Sequence, residues 1–195
     1  MLKKLVFASK NEGKIKEIKM LLKPYNVEVL TAKDLNLDEV EETGTTFAEN
    51  AALKAVAVAK ATGMTSLADD SGLCVDALGG RPGVYSARYA PNRDFDKGIE
   101  MLLGELNGVQ REKRSAHFSC VLALSEADGV CRFFEGRVDG FIAETRSGCA
   151  GFGFDPVFVP EGYDKTFAEI GVQEKSKISH RGRAFAKFMQ EVFGN

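Results

Sequence analysis

Five stretches of this chain carry residues whose types and spacing suit phosphate, metal or nucleobase chemistry. The first is Ser9-Lys10-Asn11-Glu12-Gly13-Lys14, where a short apolar run gives way to a helical pattern. A helix N-terminus offers free N–H groups and the positive end of its dipole, which suits phosphate. Lys14 adds a full charge, and Ser9 and Asn11 add hydrogen-bonding groups. This is not the Gly-x-x-x-x-Gly-Lys-Ser/Thr phosphate loop, and the same residues also make an ordinary cap. The second is Asp69-Asp70-Ser71-Gly72 after a strand-like run, with Glu42 and Glu49 upstream and Asn50 and Lys54 beside them. A hard cation such as Mg²⁺ takes carboxylate oxygens and keeps several waters, so one Asp and one Glu with a phosphate substrate suffice. Adjacent Asp residues on a strand point to opposite sides, so either faces a ligand while the other takes another partner, or a turn brings both together. Asp-Ser-Gly is also turn chemistry, and the strand is expected to end there.

The third stretch is Arg81-Pro82-Gly83-Val84-Tyr85-Ser86-Ala87-Arg88, a stiff turn with two guanidinium groups for a phosphate or for Asp70. The fourth is Gly151-Phe152-Gly153-Phe154-Asp155-Pro156-Val157-Phe158. Its rings suit a flat base, since stacking on an aromatic ring is worth ~1–3 kcal/mol per base. The same rings also suit a core. Asp155, an acid among phenylalanines, needs a partner. The fifth is Glu174-Lys175-x-x-x-Ser179-His180-Arg181, at the start of the last helical pattern. A Ser71–His180–acid triad is conceivable there, but the chain has no Gly-x-Ser-x-Gly elbow.

The elements that position these residues follow from periodicity. Leu5 to Ala8 reads as a buried strand. Ile15, Ile18, Leu21 and Leu22 share one helical face, and Pro24 stops it. Val27 to Leu30 is a second strand, and residues 33–45 form an acidic loop. Thr46-Phe47-Ala48-Glu49 is a capping-box pattern that opens an Ala-rich helix to about Thr62. Thr65 to Ala68 is a strand, and Leu73 to Val75 a short extended piece. Asp94 to Leu106 is amphipathic. Ala116 to Leu124 and Val130 to Val138 form a hairpin turning at Asp128-Gly129, extended by Phe141 to Ala143. A helix from His180 to Phe193 ends the chain. βα units first, antiparallel strands next and a helix last argue one mixed α/β (α+β) domain over residues 1–195.

Composition narrows the class. The 195 residues hold 26 Lys plus Arg against 28 Asp plus Glu, a formal charge of −2, with 44% hydrophobic and 28% charged residues. That is too apolar and too balanced for disorder. A sequence pI near 5.8 argues against general nucleic-acid backbone binding. A local basic cluster still suits one small anion. The four cysteines have no Cys-x-x-Cys spacing, so neither a zinc site nor a disulfide framework is expected. Only Leu5 to Ala8 are apolar after the first lysines, short of the ~7–15 residues of a signal-peptide core. No apolar run approaches the ~20 residues of a membrane span. A soluble cytoplasmic protein is expected.

Taken together and in order, the motifs are more specific than any one of them. Ser9-x-Asn11-x-x-Lys14, Thr46-Phe47-x-Glu49-Asn50-Ala51, Asp69-Asp70-Ser71-Gly72-Leu73, Pro82-Gly83-x-x-Ser86-Ala87-Arg88, Phe152-Gly153-Phe154-Asp155-Pro156-x-Phe158 and Ser179-His180-Arg181 closely resemble the inosine triphosphate pyrophosphatase family. The resemblance runs from residue 5 to the last helix. It implies an elongated central mixed sheet with flanking helices, and two lobes around a nucleotide cleft. It implies a homodimer that hydrolyses ITP, dITP and XTP to the monophosphate and pyrophosphate with Mg²⁺. By motif, Ser9, Lys10, Asn11, Glu12, Gly13 and Lys14 correspond to the triphosphate cradle. Glu42 and Asp70 correspond to the metal ligands, with Asp70 also the proton acceptor, and Ser71 to a substrate contact. Phe152, Gly153, Phe154, Asp155, Lys175, His180 and Arg181 correspond to nucleotide contacts. The chain departs from the family in carrying Phe154 where Tyr or Trp is common, Ala90 where Gly is frequent, and Ser9 where Thr is commoner.

The implied chemistry is attack of water on the α-phosphorus, with Asp70 taking its proton. Lys14 and Lys175, helped by Arg88 or Arg181, are expected to neutralise the leaving pyrophosphate. Donors from backbone N–H groups, His180 or Arg181 to a 6-oxo group would disfavour adenine. The alternatives are a pyrophosphatase for modified pyrimidine nucleotides and a nucleotide-binding regulator without catalysis.

Overall fold

In the computed structural model, which describes residues 2–194, the chain opens with β1 (Lys4–Phe7), buried from Leu5 onward. Its apolar run is continuous because both faces are covered, as parallel strands require. The chain then turns through Ser9 into α1 (Glu12–Leu22), whose Ile15, Ile18 and Leu22 face the core. β2 (Glu28–Thr31) returns parallel to β1 in the register Lys4↔Glu28 to Phe7↔Thr31. The capping box expected at Thr46 is present in both halves and starts α2 (Phe47–Thr62). β3 (Ser66–Val75) pairs parallel with β1 on its other side.

Here the structure departs from the sequence reading. The strand does not end at Asp69-Asp70-Ser71-Gly72 but runs through it as ten continuous residues. The turn chemistry of Asp-Ser-Gly is overridden because both carboxylates find buried cationic partners from neighbouring helices. The two aspartates thus lie in mid-strand rather than at a strand end.

After a looped segment come α3 (Phe95–Glu105), N-capped by Asp94, then β4 (Ser115–Ser125) and β5 (Cys131–Ile142). β4 and β5 are neighbours in the sheet with only a short connection, which allows only an antiparallel pairing. β6 (Phe158–Pro160) pairs antiparallel with β5, giving the sheet order β2-β1-β3-β4-β5-β6. The end of the chain holds a second departure. The sequence reading placed Glu174 and Lys175 at the start of the last helix. They belong instead to a separate helix, α4 (Val172–Ile178), which Ser179 separates from α5 (His180–Phe193). Gly182 makes this junction possible, since a Cβ there would meet the Ser176 carbonyl oxygen at 1.8 Å.

The chain divides into two compact units. One comprises residues 1–70, 120–135 and 184–195, and the other residues 71–119 and 136–183. The first is built on Leu5, Phe7, Ile18, Leu67, Phe185 and Phe188, with a second cluster of Val6, Ala51, Ala55 and Val58 under α2. The second is built on Leu73, Leu102, Phe118, Phe154, Phe158 and Phe167. All four cysteines are free thiols. No helix among the described residues is long and apolar enough to cross a membrane.

Candidate active site

The first unit holds the carboxylate–lysine groups. Asp69 and Asp70 follow one another on β3, so they face opposite sides of the sheet. Asp69, fully buried, takes the Lys14 ammonium at 2.9 Å, and the Cys120 thiol lies 3.9 Å from its other oxygen. Lys14 is placed by α1, whose N-cap Asn11 accepts from the Lys14 backbone N–H at 3.1 Å. Ser9 Oγ accepts from the Asn11 N–H at 3.2 Å. Both side chains of the expected cradle therefore shape the β1–α1 turn itself. Lys10 and Glu12 are exposed, and Glu12 pairs with Lys33.

Asp70 faces α2. Lys54 Nζ lies 3.3 Å from Asp70 Oδ1 and 2.5 Å from Glu42 Oε1, so two carboxylates meet on one ammonium. Asn50 donates to Asp70 Oδ2 at 3.2 Å and accepts from the Gly44 N–H at 2.8 Å, which ties the loop carrying Glu42 to the strand carrying Asp70. Burial pushes the Asp70 carboxyl above its ordinary value, against the pull of Lys54 and Lys14. Burial alone would lower the Lys54 ammonium, but Asp70, Asp69 and Glu42 outweigh it and hold it protonated. Glu49 has another task. Its carboxylate accepts from Thr45 N–H at 2.7 Å and Thr46 N–H at 3.2 Å, which caps α2 and lowers its pKa. The sequence places Asn50 and Lys54 beside Glu49 without assigning them a role. Their spacing of four on one helix face was the available signal.

The second unit holds the cation–aromatic groups. Asp155 finds the partner it needs. Lys175 Nζ lies 2.6 Å from its Oδ2, and the Phe152 N–H donates to the same oxygen at 2.9 Å. Gly151 is required beside it, with φ +78° and only 2.0 Å between a Cβ there and Asp155 Oδ2. The Phe152 ring is half-buried and has Lys175 Nζ 5.0 Å and the Arg181 guanidinium 5.6 Å from its centroid. Arg181 also donates to Ser71 Oγ at 2.9 Å. The structure thus brings Ser71, Phe152, Asp155, Lys175 and Arg181 together.

Two expectations fare differently. Phe154 is buried, edge-on to Phe95 at 5.8 Å and to Tyr89 at 6.2 Å, so it is a core ring rather than an open face. Of the two loop arginines, Arg81 pairs at the surface with Glu105 at 2.7 Å, and Arg88 lies over the Tyr85 ring. Lys175 sits on Asp155, with its Nζ near the Phe152 and Phe167 rings.

The sheet order defines the class: a mixed α/β protein whose β3 carries two adjacent aspartates, each held by a lysine from a helix. The particular family follows from comparison. Residues 5–191 match the Ham1 family, and the chain belongs to it. The chain is 48% identical to the dITP/XTP pyrophosphatase of Bacillus subtilis strain 168, over 96% of each protein. It is 46% identical to the dITP/XTP pyrophosphatase of Mesorhizobium japonicum, over 96% of this chain and 92% of that protein. Among solved structures, a HAM1 protein from Coxiella burnetii superposes with a TM-score of 0.90 at 39% identity, covering 100% of both chains.

Proposed function

We propose that the chain is a nucleoside triphosphate pyrophosphatase that cleaves dITP, XTP and ITP to the nucleoside monophosphate and pyrophosphate, keeping deaminated purines out of DNA and RNA. The observation that carries this reading is the meeting of Glu42 and Asp70 on one cationic atom, in a Ham1-family chain whose relatives are named dITP/XTP pyrophosphatase. Two carboxylates that share a cation have the donor chemistry a hard divalent ion takes, and we assign Glu42 and Asp70 to Mg²⁺. Among the described residues no group of three or more His, Cys, Asp or Glu could hold a metal, so water and phosphate oxygens complete the set. When bound, such an ion spreads the negative charge of the phosphates.

The chain's own residues supply the rest. Asp70 orients the attacking water opposite the pyrophosphate and takes its proton, and burial makes it a stronger base than an exposed carboxylate. Lys54 holds Glu42 and Asp70 at one point, and Lys14 brings positive charge to the N-terminal end of α1. At the base end, the Phe152 ring offers a stacking face. His180 and Arg181 offer donors to a 6-oxo acceptor. Adenine presents a 6-amino donor instead and leaves them unpaired, a mismatch worth ~10⁴-fold. The resemblance adds a homodimer in the cytoplasm, the first of which sedimentation velocity reads.

Turnover of ITP in ¹⁸O-labelled water tests the reaction. Attack at the α-phosphorus places the label in the monophosphate. Label in the pyrophosphate would overturn the reading.

A further inference from the structure

His180 is the first residue of α5 and is buried, and its imidazole lies flat on the Phe118 ring, with centroids 4.6 Å apart and planes 10° from parallel. Phe118 comes from β4 and is itself held. Phe158 meets it edge-on at 4.8 Å, and Phe167 stacks on it at 6.1 Å. Phe167 in turn lies 5.7 Å from Lys175 Nζ, so the rings that seat His180 and Lys175 form one packed group. This matters because the terminal torsion of a histidine is broad and does not define the ring plane by itself. Its N–H bonds lie in that plane. A neighbour that fixes the plane therefore fixes the direction in which the imidazole can donate.

We propose that Phe118 is a positioning residue that sets the plane of His180 and thereby contributes to discrimination between 6-oxo and 6-amino purines. The proposal rests on the function assigned above. Phe118 touches no substrate in this account. It acts through the imidazole, and a directed donor rewards a 6-oxo acceptor but gains nothing from a 6-amino group. Stacking of two rings favours the held orientation by a factor of roughly two to ten.

The test compares kcat/KM for ITP and ATP in the full chain carrying Phe118→Leu, Phe118→Met or Phe118→Tyr. Phe134→Leu, a buried ring in a core cluster of the first unit, serves as control. The ITP-to-ATP ratio is expected to fall about two- to tenfold in the Leu and Met variants and to be restored by Tyr. Simple loosening of the fold lowers both substrates by one factor and leaves the ratio unchanged, as expected for Phe134→Leu. An unchanged ratio in Phe118→Leu and Phe118→Met overturns the proposal. A second measurement needs no Phe118 variant. The chain has only two histidines, so proton NMR shows two imidazole sets, assigned with His180→Gln. A stacked His180 resonates upfield of His117 through the ring current of Phe118. A His180 signal at the free-imidazole position overturns the proposal. Absence of ITP turnover by the unmodified chain overturns the function and the proposal together, whereas turnover with an unaffected ratio overturns the role of Phe118 alone.

Discussion

Asp70 is a carboxylate kept in surroundings that resist its charge. Burial raises its pKa above 3.8, and Lys54 and Lys14 only partly oppose this. The folded chain therefore binds this proton more tightly than the unfolded chain does. The stability this gives is complete below the unfolded value and is lost as pH rises through the folded one. Asp70→Asn removes that loss. Its melting temperature at neutral pH is expected to equal or exceed that of the unmodified chain, the gap closing as pH falls toward 3.8, while kcat drops by roughly 10²–10⁴. Calorimetry over this pH range checks the first part; a variant less stable at neutral pH would contradict it. Asp69 presents the opposite case. Its side chain is 0% exposed and that of Lys14 15%. Lys14→Met removes the ammonium 2.9 Å from this buried carboxylate, at a cost of about 3–5 kcal/mol. Adding Asp69→Asn to that variant is expected to recover much of the loss, read as the urea midpoint at constant slope. No recovery would show that Lys14 contributes through packing instead.

At the scale of elements, the α4–α5 junction is the most exacting piece of construction. Lys175 stands on one helix and His180 and Arg181 on the next, and Gly182 lets the two approach. Gly182→Ala forces the Ser176 carbonyl away, at about 1–3 kcal/mol. It is also expected to raise KM for ITP more than it lowers kcat, which steady-state kinetics separates. A loss in kcat alone would place the junction's role elsewhere. This junction was not legible in the sequence, because a seven-residue helix gives no clear period. α2 and α3 were legible, since their caps are local: Thr46 with Glu49 for one, Asp94 for the other. β3 was half legible. Its first residues read as strand, but Asp69 and Asp70 are held in mid-strand by Lys14, Lys54 and Asn50, which reach them from distant positions. Phe152 and Phe154 are the same residue type, each preceded by a glycine, and only packing decides which one is core.

At the scale of the molecule, the chain passes between its two compact units at 70/71, 119/120, 135/136 and 183/184. Each passage falls inside a regular element: β3, β4, β5 and α5 respectively. No linker separates the units, so we propose a single cooperative domain. Calorimetric and van't Hoff enthalpies of unfolding are then expected to agree; two resolved transitions would refute this. Charge also reads differently at this scale. A net charge of −2 described the chain as nearly neutral. Locally that neutrality is built from opposed pairs, Lys14 with Asp69, Lys54 with Glu42 and Asp70, and Lys175 with Asp155. The most direct measurement is a panel of nucleoside triphosphates with and without Mg²⁺, reading pyrophosphate and free phosphate separately. Mg²⁺-dependent pyrophosphate release is expected from dITP, XTP and ITP, and little from ATP. Equal turnover of ATP, stepwise release of free phosphate, or full activity without a divalent ion would contradict it.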